Sequence, residues 1–209
     1  MNLPSDDEVR RRLDRQGEIM DGLPPELPTI PRIVMSMDIE HGERLMAEFE
    51  KGNITAEQAV TYSGSYARVG NATTLWGQGL LSDDWFFDRW PSLWRGSDPD
   101  DTDPALWDIW QQAFKRAGKR ILDGDDLPGK GSMVSIYRGQ KAGDPVGCAW
   151  TTDIKVAQAF AEHGGLRTKI EGGRVMRSRI AKSMVLAYLT GRDEAEVIID
   201  PRELGWSTP

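Results

Sequence analysis

Near its C-terminal end the chain reads Gly191-Arg192-Asp193-Glu194-Ala195-Glu196-Val197-Ile198-Ile199-Asp200-Pro201. Two glutamates stand one residue apart at the mouth of a β-branched strand that stops at a proline. On an extended backbone the period of two puts Glu194 and Glu196 on the same side, about 6.5–7 Å apart along the strand. Like charges held on one face repel, so a structural role explains the pair poorly. Chemistry explains it better, because two carboxylates can divide two jobs at one reacting centre.

Two further segments carry groups that suit a reaction site. Arg138 follows the alternating run Met133-Val134-Ser135-Ile136-Tyr137 and precedes Gly139. It shares parity with Val134 and Ile136, so it points to the side those residues bury. An arginine there needs an anion: a carboxylate among Glu194, Glu196 and Asp193, or a ligand phosphate. Trp150-Thr151-Thr152 places a ring and two hydroxyls just before a helix start. The hydroxyls suit orienting a carboxylate, and the ring suits covering a flat ligand; strand-end and capping chemistry is the plain alternative. Cys148 reads as a buried small residue and His163 as a helix C-terminal cap.

In this order the three segments resemble the Arg-Ser-Glu class of ADP-ribosyltransferases. There an Arg, a Ser-Thr-Ser segment and a Glu-x-Glu pair line a cleft for NAD. Tyr137-Arg138-Gly139 looks like the Arg strand. The run from Trp150 to Ala161 looks like the Ser-Thr-Ser strand and its helix, and Glu194 to Ile199 looks like the biglutamate strand. The resemblance spans about Met133 to Pro201. It implies that Arg138, Gly139, Trp150, Thr151 and Thr152 bind NAD, which is consumed as a substrate, with no metal. It implies that Glu196 stabilises the cation-like ribose and that Glu194 orients and deprotonates the acceptor, for which a Glu at this position points to arginine. It also implies that Arg138, Thr151 and Glu196 converge on one cleft. Arg138 and Glu196 on opposite faces of the sheet would end the enzymatic reading at once.

The elements that must position these groups form an α+β pattern. A helix is expected over 5–20, capped by Ser5, then an extended proline-rich linker over 24–31, and helices near 37–50 and 55–68. A stretch holding Trp85, Trp90, Trp94, Trp107 and Trp110 follows. Its spacing reads as helical core and not as a stacking surface. Asp103 with Pro104 starts a helix over 105–122. From residue 131 the period turns to strands over 133–139, 148–152, 174–180, 184–189 and 196–199. One helix follows Asp153, with inner face Val156, Ala157, Phe160 and Ala161 and closure at Gly164-Gly165. The expected organisation is a helical part over 1–130, with 1–30 detachable, on an ADP-ribosyltransferase-like split-sheet core over 131–209. The two are expected to pack as one cooperative body.

Composition narrows the function classes. One cysteine and two histidines among 209 residues leave no disulfide and no Cys- or His-rich zinc cluster. No apolar run reaches the ~18–20 residues of a membrane span, and the acidic N-terminus lacks the pattern of a signal peptide, so the expected compartment is cytoplasmic. Residues 1–130 carry 15 Lys/Arg against 24 Asp/Glu, while 131–209 carry 11 against 9. The acidic part is a poor match for nucleic acid, and the C-terminal part suits a small anion such as a pyrophosphate. The expected function is mono-ADP-ribosyl transfer from NAD to a protein acceptor at arginine. The alternatives are an NAD glycohydrolase, or a catalytically silent, phage-borne or toxin-like relative that binds and inhibits a host partner.

Overall fold

The structure, a computed structural model, describes residues 6–23, 29–163, 172–191 and 194–205. The expected caps and closures at Ser5 and Gly164-Gly165, and residues 24–28 of the linker, lie outside them. The chain divides into two compact units, Met1–Pro99 and Asp100–Pro209. The sequence reading drew its boundary at 130 instead; the contacts place the helix at 104–117 with the sheet.

The first unit is helical: α1 (Asp6–Gly22), α2 (Thr29–Glu50), α3 (Ala56–Tyr62), α4 (Arg68–Gly77) and α5 (Asp83–Arg95). Residues 29–31, expected as extended linker, begin α2. Pro31 is tolerated there because a first-turn residue needs no amide hydrogen. Thr55 caps α3 in a capping box with Gln58. The expected helix to 68 stops at Tyr62, since Ser63 is extended and the following turn is held by Asp38, which accepts from the Tyr66 amide at 2.6 Å. Gly64 leaves room for that carboxylate, where a Cβ would overlap it. Trp90 and Trp94 are buried, and Trp76 stacks on Phe86 at 4.6 Å. Trp90 and Trp94, with Trp110 of the second unit, are core as their spacing implied, while Trp85 and Trp107 are half-buried.

The second unit carries α6 (Pro104–Ala117), β1 (Ile121–Leu122), β2 (Met133–Lys141), β3 (Ala149–Thr151), α7 (Ile154–His163), β4 (Gly173–Ala181), β5 (Val185–Leu189) and β6 (Glu196–Ile199). Asp103 accepts from the Ala105 amide as N-cap, and Pro104 opens α6. The helix was expected to reach 122. It ends at Ala117 because Gly118 turns left-handed (φ 65°), and Ile121–Leu122 instead pair in parallel with β5. The six strands form one mixed sheet in the order β1-β5-β6-β3-β2-β4, antiparallel except for β1–β5. The fold is α+β, with seven helices and six strands among the described residues.

One face of the sheet is a continuous apolar core of Val134, Ile136, Trp150, Ile180, Tyr188, Val197 and Ile199. On the other face α7 lies against β2 and β4 at very short range. A Cβ on Gly139 would sit 1.9 Å from the Ala157 carbonyl oxygen, and one on Gly173 would sit 1.7 Å from that of Ala161. Only small residues fit such an approach, so Ala157 and Ala161 are buried while Phe160, expected on the inner face, is exposed.

Candidate functional site

The strand register defines which side chains meet. Directly paired residues of antiparallel strands point to the same face. Arg177 of β4 pairs with Tyr137 of β2, Tyr137 with Thr151 of β3, Thr151 with Glu196 of β6, and Glu196 with Leu189 of β5. Five strands therefore contribute one transverse row, Arg177–Tyr137–Thr151–Glu196–Leu189. The Arg177 guanidinium lies 5.7 Å from the Tyr137 ring centre. Thr151 and Leu189 are buried, Tyr137 and Glu196 half-buried, and Arg177 exposed. Thr151 and Glu196, placed in one cleft by the resemblance, do come together.

Arg138 does not join them. It is one residue out of the row, so alternation turns it to the opposite, apolar face with Val134 and Ile136. Its burial on that side matches the parity argument, but the partner among the described residues is neither Glu194 nor Glu196; Asp193 lies outside them. Asp101 holds it with a two-pronged ion pair, Nη1 to Oδ2 at 2.5 Å and Nη2 to Oδ1 at 3.0 Å. Nη1 also donates to the Ala149 carbonyl at 2.6 Å, and Nε to Gln140 Oε1 at 2.7 Å. The three guanidinium nitrogens are engaged inside the fold. The convergence of Arg138 with Thr151 and Glu196 on one cleft is thus corrected: Arg138 and Glu196 lie on opposite faces, which ends the enzymatic reading in the form that gave Arg138 a ligand role.

Two other expected ligand residues, Gly139 and Trp150, are engaged within the fold, and Thr152 is tied to the chain by its backbone amide. Gly139 is the close approach to α7. The Trp150 ring belongs to the apolar core and its Nε1 donates to the Gly147 carbonyl at 3.1 Å, so it does not cover a ligand. The Thr152 amide donates to the Ala195 carbonyl at 3.1 Å.

The glutamate pair differs from the expected strand geometry as well. β6 begins only at Glu196, and Ala195 has a left-handed φ of 46°. The extended backbone that would put Glu194 and Glu196 on the same side is broken between them. The bend is tied to the end of β3 at two points. Thr151 Oγ1 donates to the Glu194 carbonyl at 2.5 Å, and Thr152 N bonds Ala195 as above. The same hydroxyl accepts from the Asp153 amide at 3.0 Å. A left-handed alanine is strained, by about 1–2 kcal/mol for a non-glycine residue, and these bonds hold it.

Cys148, fully buried at the lead-in to β3, has its thiol pushed well above the usual range by burial first and then by Asp101 and Glu196, with Arg138 only partly opposing. It is no nucleophile, as its reading as a small buried residue implied. His163, at the end of α7, is exposed and 3.9 Å from Glu162. Among the described residues no group of three or more His, Cys, Asp or Glu is placed to hold a metal, and no helix is long and apolar enough to cross a membrane.

The residue that sequence reasoning missed is Asp101. It stands in the run Ser97-Asp98-Pro99-Asp100-Asp101-Thr102-Asp103-Pro104, where only the helix cap Asp103 gave a local signal. Its role depends on a partner 37 residues away, which no spacing rule reports. The chain matches no known family profile, no curated protein and no solved structure.

Proposed function

We propose, in a revised form that does without Arg138, that this protein is a mono-ADP-ribosyltransferase that moves ADP-ribose from NAD to a protein acceptor at arginine, using the sheet face that carries Tyr137, Thr151 and Glu196. The observation that carries this reading is the direct pairing of Glu196 with Thr151, on strands resembling the biglutamate and Ser-Thr-Ser strands of that class. On this reading the bond from ribose C1′ to the nicotinamide nitrogen breaks, and nicotinamide leaves with the bonding electrons. Glu196 stabilises the positive charge that develops on the ribose. The acceptor nitrogen forms the new bond to C1′ and passes its proton to Glu194. Arg138 has no ligand contact in this scheme; it holds the sheet together from the opposite side.

A second reading is a catalytically silent relative that binds a partner protein. It is favoured by the internal engagement of Arg138 and the burial of Trp150, which leave two of the expected ligand contacts inside the fold. Incubation with NAD labelled in its adenylate part, with a cell lysate, separates the two. Label on protein supports transfer, free labelled ADP-ribose supports the glycohydrolase variant, and unconsumed NAD supports the silent reading.

A further inference from the structure

We propose that Asp101 is a positioning residue, which holds the lead-in to β3 and thereby seats the strand that sets Thr151 against Glu196. Apart from one bond from Trp107, the polar groups of Asp101 that the structure shows engaged are directed at this lead-in or at Arg138. Its carboxylate accepts from the Ala149 amide at 3.0 Å and from both Arg138 Nη atoms. Its carbonyl accepts from the Cys148 amide at 2.9 Å and from Trp107 Nε1 at 2.8 Å. Arg138 closes the clamp by donating to the Ala149 carbonyl, so both peptide groups of Ala149 are held by the pair. Gly147 is required beside it, because a Cβ there would fall 2.2–2.4 Å from the Asp101 carboxyl atoms. β3 is only three residues long and meets β2 at a single register pair, Tyr137 with Thr151. Its pairing with β6 runs along all three residues and sets Thr151 against Glu196, but on the β2 side one pair leaves the strand's seating to the clamp at its first residue. With both charges partly shielded from water, a bidentate pair of this kind is strongly directional.

The catalytic consequence rests on the proposed transfer reaction; the mechanical one does not, and the experiment reads both. In the full-length protein, Asp101→Asn preserves shape and one acceptor while removing the charge. The double variant Asp101→Asn/Arg138→Gln avoids leaving the arginine charge alone if the single variant fails to fold. Residue-resolved amide exchange is expected to show protection at Cys148, Ala149 and Thr152 falling about 10-fold or more, with β5 amides unchanged, as a local opening does. NAD turnover is expected to fall through kcat by up to about 100-fold with KM nearly unchanged, as for a displaced catalytic group. Unchanged protection in a folded variant would overturn the clamp. Lost protection with unchanged kcat would overturn its role in placing the site. If both variants fail to fold, Asp101 serves folding alone and the positioning role is overturned. Absence of turnover in the wild type would instead defeat the transfer reading and leave the exchange result to decide the clamp.

Discussion

Thr151 stands directly opposite Glu196 across the β3–β6 pair, yet its hydroxyl is bonded to the backbone on either side, to the Glu194 carbonyl and the Asp153 amide. It therefore orients Glu196 through the chain and not by a hydrogen bond to the carboxylate. Thr151→Val keeps the shape and removes both bonds, leaving the buried side chain without its hydroxyl and two partly buried backbone groups short of a partner. The expected loss of stability is about 1–3 kcal/mol, read as an earlier thermal transition. Thr151→Ser, which keeps the hydroxyl, is expected to recover most of it.

Gly139 tests whether α7 is anchored as closely as the backbone indicates. Gly139→Ala adds a Cβ against the Ala157 carbonyl oxygen and the Ala161 amide, both main-chain atoms that cannot rotate away. Overpacking of this kind costs about 1–3 kcal/mol, and chemical denaturation should show it as a lower midpoint with an unchanged slope. A wild-type midpoint would mean that α7 sits further from β2.

The acid limb of stability is expected to depend on Asp200. Its carboxyl is opposed by burial, which outranks each single donor, but the bonds from Arg202 and Gln111 together hold it below the usual carboxylate range. Arg202 Nη2 lies 2.6 Å from Asp200 and 2.8 Å from Asp108, linking the end of β6 to α6. A depressed carboxyl binds its proton more weakly in the folded state than in the unfolded one. Its contribution is thus complete above the unfolded value, about 3.9, and is lost as pH falls through the lower folded value. Melting temperatures of wild type and Asp200→Asn measured from pH 7 to 2 should differ most at neutral pH and converge below about pH 4. A constant difference would show that Asp200 does not titrate with folding.

Much of this fold was legible because its signals are local. The cap at Asp103-Pro104, the alternation over 133–139 and the β-branched run 196–199 each state a period or a terminus within a few residues. The site was legible only in part. The resemblance put Thr151 and Glu196 in one cleft together with Arg138, and the direct β3–β6 pairing of the first two was not legible. What failed was long-range or conformational. Asp101 reaches Arg138 from a distant loop, and Ala195 adopts a left-handed turn that an alanine does not announce. Trp150 was read as a ligand cover because parity along three residues does not say which face is apolar.

The two glutamates are expected to separate by function. Glu196→Gln should remove both transfer and NAD hydrolysis by roughly 10²–10³-fold, the usual effect of losing one preorganised transition-state contact. Glu194→Gln should suppress transfer to arginine while hydrolysis persists, since water needs no guanidinium partner. Both variants are expected to keep the wild-type melting temperature within a few degrees. Equal loss of both activities in both variants would refute the division of labour.

The most direct test of the central claim is transfer itself: purified full-length protein, NAD labelled in the adenylate part, and an arginine-bearing acceptor such as an unfractionated lysate or an arginine homopolymer. The account predicts label that becomes fixed to protein or polymer, with nicotinamide released in equal amount, and neither product with Glu196→Gln. NAD recovered intact from the wild-type reaction, with Glu196→Gln indistinguishable from it, would contradict the account and leave partner binding in its place.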